Sequence, residues 1–352
     1  MASRHGTGVF ILGRPGSGKT AILLGLALWL KELGKRPGYL KPIGYWAVPE
    51  FGEDADARLM QKVLGLDLDL NILCPFPLES RYLKEEASFS RDTLDQAFAK
   101  AREGRDAMLV DGPTSLWKLA SAGLDAWSLM EYFQYPILYA VRPRDGDRAL
   151  EQVLVVARSA KDRGVPVAGV LFNSVQPHEA QRVEKIYRPI LDRHGIPYLG
   201  AIPYRTTLSA PTAAVYVQMA AGRLLVEGRL DRPVEHLLIG AMTAERALSY
   251  FRRYPHVGVI TGGDRADVAL AALETDISLL ILTGGNEPDA RVLSRAREKE
   301  VPVLLAAEDT FTVAHKVESI SRILHPDDEK AIEAAHQAVK EALGHQFPQW
   351  LL

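Results

Sequence analysis

One short run carries the clearest chemistry in this chain. Gly13-Arg14-Pro15-Gly16-Ser17-Gly18-Lys19-Thr20 satisfies the pattern G-x-x-x-x-G-K-[ST] in full. Each residue type has its own use. Gly13, Gly16 and Gly18 let the backbone, Ser17 included, turn its N–H groups inward around phosphate oxygens. The helix expected to follow adds its positive N-terminal end. Lys19 supplies a mobile point charge for β- and γ-phosphates, and Thr20 offers a hydroxyl to Mg²⁺. A glycine-rich turn that binds nothing would need neither Lys19 nor Thr20. The expected ligand is a Mg-nucleotide, with ATP the first candidate.

Further chemistry-bearing residues follow short apolar runs. Asp111 closes Ala107–Val110 and suits a second metal ligand, the alternative being a cap on the next segment. Arg142-Pro143-Arg144 follows Ile137–Val141 and reads as a surface loop, although it could approach a phosphate. Lys41, at the end of Tyr39–Lys41, would face a γ-phosphate or an anionic substrate, unless it is a surface lysine before the turn at Pro42. Glu53, Asp54 and Asp56 precede a helical pattern, where they would hold Mg²⁺ or cap the helix; composition alone favours capping.

The elements that must position these residues alternate regularly. Apolar runs at Val9–Leu12, Tyr39–Lys41, Ala107–Val110, Ile137–Val141, Val167–Phe172 and Tyr198–Ile202 are separated by helix-period segments such as Thr20–Leu33, Arg91–Glu103 and Asp147–Arg163. This predicts an α/β fold, a parallel sheet with helices on both faces, whose carboxyl edge gathers Gly13, Lys41 and Asp111. The stretch Gly222–Pro233 has no clear period and is expected to separate a domain over 1–222 from a smaller α/β domain over 223–352. In the latter, Leu237–Ile239, Val257–Ile260, Leu279–Leu282 and Val303–Leu305 read as strands. Thr243–Arg253, Asp264–Glu274, Glu287–Glu298 and Thr310–Ser319 read as helices. A last helix, Asp327–Leu343, closes this domain or packs elsewhere. Two Thr-Gly-Gly triplets, at Thr261 and Thr283, lie 22 residues apart, too few copies for a repeat array.

Composition excludes several classes. The 42 Lys+Arg against 44 Asp+Glu give no basic footprint for nucleic acid. Cys74 stands alone, so no intramolecular disulfide forms, and it is expected to be a small buried side chain. The scattered histidines form no metal motif, and no G-x-S-x-G elbow exists outside the phosphate loop. Trp29, Trp46, Trp117 and Trp127 are expected as core or groove aromatics. The N-terminal segment lacks a secretory pattern, and Ala21–Leu30 is too short to span a bilayer, so a cytoplasmic protein without membrane contact is expected.

The motifs in their order, G-R-P-G-S-G-K-T, Y-L-K-P-I-G, E-D-A-D with K-V-L-G-L, V-D-G-P, G-V-L-F-N-S-V and G-A-I-P-Y, resemble dethiobiotin synthetase. They resemble still more the dethiobiotin-synthetase-like N-terminal region of phosphotransacetylases, over about residues 6–220. The resemblance implies a P-loop α/β domain in which Lys19 and Thr20 serve phosphate and Mg²⁺, Lys41 contacts the phosphoryl group or carbamate, and Asp54 and Asp111 are metal-associated. It also makes Asn173 the reader of the nucleotide base, with Pro203 beside it. From the residues alone, Asn173 reads as a turn residue after a strand. Ile43-Gly44-Tyr45-Trp46 and Asp111-Gly112-Pro113-Thr114-Ser115 depart from the dethiobiotin synthetase pattern on the substrate side. Nucleotide binding therefore carries over and dethiobiotin synthesis does not.

Residues 225–325 resemble the DRTGG domain through Gly263-Asp264-Arg265 and Thr283-Gly284-Gly285. That resemblance implies regulation or self-association, hence a homo-oligomer. Asp264 and Asp289 are expected to cap the helices after these triplets and so repel a phosphate; alternatively Arg265 or Thr283 lines a small-ligand or dimer contact. A chain of 352 residues has no room for a transferase domain, so acetyl transfer is not expected. Three functions fit: a nucleotide-responsive regulatory protein with a small-molecule effector, an ATP-dependent ligase or carboxylase-like enzyme in which Lys19, Lys41 and Mg²⁺ stabilise the transferred phosphoryl group, or a scaffold whose bound nucleotide is only structural.

Overall fold

The computed structural model describes residues 6–45, 53–78, 89–220, 222–318, 320, 322–344 and 347–351. The chain forms two compact units, one of Met1–Leu208 with Leu324–Leu352, the other of Ser209–Ile323.

The first unit is built on a parallel sheet. Its strands are β1 (Gly8–Leu12), β2 (Pro37–Leu40), β5 (Ala107–Asp111), β6 (Ile137–Val141), β7 (Val167–Val175) and β8 (Tyr198–Pro203), in the order β2-β5-β1-β6-β7-β8. Two short strands, β3 (Ile43–Tyr45) and β4 (Phe76–Leu78), pair separately. The inner strands β1 and β6 and β5 up to Asp111 are buried apolar runs because both of their faces are covered. On β1, Phe10 and Leu12 enter one core cluster, with Leu94, Phe98 and Phe133 of the helices Arg91–Arg102 and Ala126–Phe133. Val9 and Ile11 enter the other, with Ile22, Leu23 and Leu26 of α1 (Lys19–Glu32). All four β1 side chains are fully buried, each contributing about 1.5–3 kcal/mol. The alternation fixes the register of β1, and with it the point where the chain leaves the sheet at Gly13.

The second unit carries β9 (Arg223–Val226), β10 (His236–Ile239), β11 (Val257–Gly262), β12 (Ile277–Thr283) and β13 (Val303–Leu305), in the order β10-β11-β12-β13-β9. β10 to β13 run parallel, and β9 is antiparallel to β13. Val259 and Ile260 on β11 face opposite core clusters, as Leu280 and Ile281 do on β12.

The strands expected from sequence all form, with ends shifted by a few residues. Three arrangements differ. Gly222–Pro233 is not a separating stretch: Arg223–Val226 within it is the antiparallel edge strand β9, and one exposed edge gives too weak an alternation to read. The change of unit comes earlier, at Leu208/Ser209, because Ala213, Val215 and Tyr216 of the helix Ala213–Met219 are buried in the second unit's core. The last helix, Glu329–Ala342, belongs to the first unit rather than to the 223–352 domain. It lies on α1, with Ala335 and Val339 in the α1-side cluster. Gly25 permits this approach, since a Cβ there would stand 2.6 Å from the Ala335 carbonyl oxygen. Lys340 Nζ donates to Glu32 at 2.8 Å across the same contact. The expected helix from Thr310 forms and is described over Thr310–Glu318; its expected last residue, Ser319, lies outside the described residues.

Candidate functional site

The carboxyl ends of the six strands place the singled-out residues along one edge of the sheet. Gly13 follows β1, Lys41 follows β2, Asp111 ends β5, Arg142 follows β6, Asn173 lies near the end of β7 and Pro203 ends β8. Between β1 and α1 the loop Gly13–Gly18 forms a tight cradle. Ser17 N donates to Arg14 O at 3.1 Å, while the N–H groups of Gly16, Gly18, Lys19 and Thr20 donate to no backbone carbonyl among the described residues. Such free donors at a helix start suit an anion. Gly18 has φ +84°, and a Cβ there would run into the amide nitrogen of Asn173, so only glycine fits.

The charges around the cradle are buried. Lys19 Nζ reaches Gly13 O at 3.4 Å; burial pushes its pKa below the usual lysine value, with Asp111 pulling the other way. Lys41 Nζ lies 2.8 Å from Asp54 Oδ2 and 2.5 Å from Asp56 Oδ2. Burial disfavours its charge, but Asp56, Asp54 and Asp111 outweigh burial and hold its pKa well above the usual range. Lys41 is therefore an ammonium ion and no nucleophile at neutral pH.

Asp54 does cap the next helix, α2 (Ala55–Leu64), accepting from the N–H groups of Asp56 and Ala57 at 3.0 Å. Asp56 accepts from the Thr20 hydroxyl, and its pKa is lowered because Lys41 and Lys19 outweigh the burial that would raise it. Asp56 is thus the acid of the α2 start that reaches Thr20. Glu53 instead pairs with Arg58 at 3.3 Å, away from the loop.

Asp111 is 1% exposed. Burial, helped by Asp56 and Asp54 and opposed by Lys19 and Lys41, pushes its pKa up to about 6. Tyr39 OH donates to Asp111 Oδ2 at 3.3 Å, whereas Asp111 Oδ1 and Ser17 Oγ are buried with no hydrogen-bond partner among the described residues. An orphaned buried carboxylate oxygen is costly unless a ligand satisfies it. It fits Mg²⁺, which takes one or two carboxylates and completes its shell with phosphate and water. No group of three or more His, Cys, Asp or Glu side chains that could hold a metal occurs among the described residues.

Two residues act on the loop from neighbouring strands. Asn173 Nδ2 donates to Ser17 O at 2.8 Å, so its amide braces the phosphate loop and keeps an oxygen for a further partner. Arg142 Nη1 donates to Gly16 O at 2.9 Å. The surface-loop reading of Arg142 is corrected: it is half-buried against the cradle. Its signal in the sequence was its position directly after a strand that neighbours β1. Pro203 is exposed at the end of the outermost strand, in register with Val175 of β7.

The aromatics divide. Trp29 is buried edge-on to Phe347, Trp127 lies under Arg163, and Trp117, contrary to expectation, is 72% exposed in the segment after Asp111. Trp46 lies outside the described residues. Cys74 is buried and its thiol pKa is raised by burial.

In the second unit the triplet loops are internally satisfied. Gly263 N donates to Thr283 O at 2.9 Å, Gly284 N to Glu308 O at 2.8 Å and Gly285 N to Ala306 O at 3.0 Å. Asp289 caps the helix Ala290–Glu298, as expected. Asp264 does not cap: Arg265 occupies the N-cap position of the helix Ala266–Leu273, where no side chain caps, and its guanidinium donates to Met242 O and pairs with Asp267.

A strand, a phosphate-type loop, a lysine and a helix start mark the first unit, and the family model for the AAA domain matches residues 7–212 of the chain. The chain belongs to the AAA domain family. The DRTGG domain model matches residues 216–320. The chain is similar, at 25% identity over 91% of its length, to the phosphate acetyltransferase of Nitratidesulfovibrio vulgaris, and spans only 48% of that protein. It is 27% identical to the ATP-dependent dethiobiotin synthetase of Xanthomonas axonopodis pv. citri, over 58% of this chain and 93% of that one. A solved structure of the CBS and DRTGG domains of Clostridium perfringens pyrophosphatase, complexed with the activator diadenosine tetraphosphate, overlaps 41% of the chain and 74% of that chain at 18% identity and a TM-score of 0.29. Among the described residues no helix is long and apolar enough to cross a membrane.

Proposed function

We propose that this chain is a Mg-ATP-binding regulatory protein in which nucleotide at the Gly13–Thr20 loop sets the state of the DRTGG unit. The observation that carries the reading is the buried, orphaned carboxylate oxygen of Asp111 beside Lys19 and a loop with free N–H groups. In this reading the backbone of Gly13, Gly16, Ser17 and Gly18, with Lys19, holds the phosphates. Thr20 and Asp111 hold Mg²⁺, with Asp56 at the Thr20 hydroxyl and Asp54 fixing Lys41 and the start of α2. Asn173 and Pro203 flank the base. Mg²⁺ would supply charge neutralisation at the phosphates. Similarity to ATP-dependent dethiobiotin synthetases supports ATP as the nucleotide. The DRTGG unit supports a regulatory, self-associating protein; a light-scattering mass of one chain at micromolar concentration would refute self-association.

A second reading is an ATP-dependent ligase or carboxylase-like enzyme with a substrate of its own. It is favoured by Lys41, an ammonium whose charge Asp56, Asp54 and Asp111 favour, at the same sheet edge as the cradle. The deciding experiment is ADP release with Mg-ATP, for wild type and Lys19→Ala, with and without candidate carboxylates and amines. Binding without turnover fits the regulatory reading, substrate-stimulated turnover lost in Lys19→Ala fits the enzyme, and no binding at all sinks both.

A further inference from the structure

We infer that Arg142 is a positioning residue for the phosphate cradle, holding the loop in its binding shape before any ligand arrives. The inference rests on the nucleotide reading for its functional consequence, but not for its structural one.

A trans peptide points its C=O and N–H in opposite directions. The Gly16–Ser17 peptide is held at both ends: Arg142 Nη1 donates to Gly16 O at 2.9 Å, and Ser17 N donates to Arg14 O at 3.1 Å. The next peptide is held at its oxygen alone, by Asn173 Nδ2 on Ser17 O at 2.8 Å. That bond turns Gly18 N–H away from Asn173, and it has no backbone acceptor among the described residues. The loop is thus gripped from β6 and β7, the strands lying successively beyond β1. With Gly16–Ser17 locked, the free donors of the cradle are fixed in direction. Without Arg142 the same peptide keeps only its turn bond and can rotate, so each phosphate contact must first order the loop.

Arginine suits this task because its guanidinium is rigid and always charged, so a donor on Gly16 O persists at every physiological pH. Lysine keeps the charge but loses the planar fork. A mere electrostatic role for Arg142 and a positioning role therefore diverge in the Arg142→Lys variant.

The test uses the full chain as wild type, Arg142→Ala and Arg142→Lys. Two readouts are taken: hydrogen exchange of the segment 13–20 without nucleotide, and affinity for Mg-ADP by calorimetry. Expected are faster exchange of the Ser17 amide, the loop N–H held on Arg14 O, in both variants, by about tenfold in Arg142→Ala, and Mg-ADP binding weakened about ten- to a hundredfold in Arg142→Ala, as for loss of a hydrogen bond from a charged donor. Arg142→Lys is expected to fall between, nearer to Arg142→Ala. Unchanged loop exchange in Arg142→Ala overturns the inference, as does full Mg-ADP affinity in Arg142→Lys with affinity lost only in Arg142→Ala. Should wild type bind no Mg-ADP while loop exchange still rises in the variants, the positioning role stands and the nucleotide reading falls. If Arg142→Ala fails to fold, Arg142→Lys carries both readouts.

Discussion

Both units end parallel strands in glycine-containing turns and start a helix beyond them, and they treat the resulting backbone in opposite ways. After β1, four N–H groups from Gly16 to Thr20 find no backbone acceptor among the described residues, and a lysine stands at the helix start. After β11 and β12, Gly263, Gly284 and Gly285 donate into neighbouring strand ends, and Asp289 caps the following helix. Glycine is thus necessary for both shapes and decisive for neither. An anion site requires donors left over by the fold and a positive charge beside them; in the second unit the triplet glycines Gly263, Gly284 and Gly285 give their N–H groups to backbone carbonyls, and Asp289 adds a negative charge at the next helix.

The comparison is sharpest at the lysine. Lys19→Ala should weaken Mg-ATP binding about a hundredfold, the loss of a charge-assisted contact worth about 3 kcal/mol, whereas Thr283→Ala, in a loop whose glycines already donate to carbonyls, should leave it within about twofold. Equal losses in a calorimetric titration would erase the distinction between the loops.

The next effect concerns Asp111. Its pKa is raised to about 6, so the nucleotide-free fold is stabilised by its protonation: the contribution is full below the unfolded carboxylate value, near pH 4, and is lost as pH rises through about 6. Asp111→Asn should therefore stabilise the nucleotide-free protein by roughly 1–3 kcal/mol at pH 7.5, with the gain vanishing near pH 4, and should abolish the Mg²⁺ dependence of nucleotide binding. In wild type, Mg-ATP affinity should drop as pH falls below about 6. Denaturant melts at two pH values check the first part; a flat stability difference between them would show that burial is not what strains this carboxylate.

A smaller effect is expected in the second unit. Gly284 sits at φ +84°, so Gly284→Ala should cost that unit about 1–2 kcal/mol without altering nucleotide affinity. A shift confined to the second unit's hydrogen exchange is the expected result. Smallest of all, Asp289→Asn keeps a capping oxygen and should move the melting temperature by about a degree or less; a larger change would mean that the carboxylate charge itself matters there.

Most of this architecture was legible in the sequence because parallel strands buried on both faces are continuous apolar runs, and because Gly13–Thr20 is contiguous. Lys41 and Asp111 were found by the same logic, as polar residues ending apolar strands. What escaped depended on tertiary pairing. Arg142 looked like loop because its partner, Gly16 O, lies 126 positions away in sequence. β9 looked like a linker because an exposed edge strand has half a pattern. Asp54 and Asp56 could not be told apart until α2 showed which carboxylate caps and which reaches Thr20. Asn173 read as a turn residue, although β7 runs on through it to Val175.

The packing of Glu329–Ala342 on α1 also sets a timetable for synthesis. Glu32 and its partner Lys340 are separated by 308 positions. At about 5–20 residues per second, α1 leaves the ribosome roughly 15–60 s before the helix that covers it. During that interval the whole DRTGG unit is made, while the face of α1 around Gly25 and Trp29 waits uncovered. The nucleotide domain, begun before the DRTGG unit, is therefore completed after it, and a chaperone or a bound ligand would have its greatest influence on yield in that window.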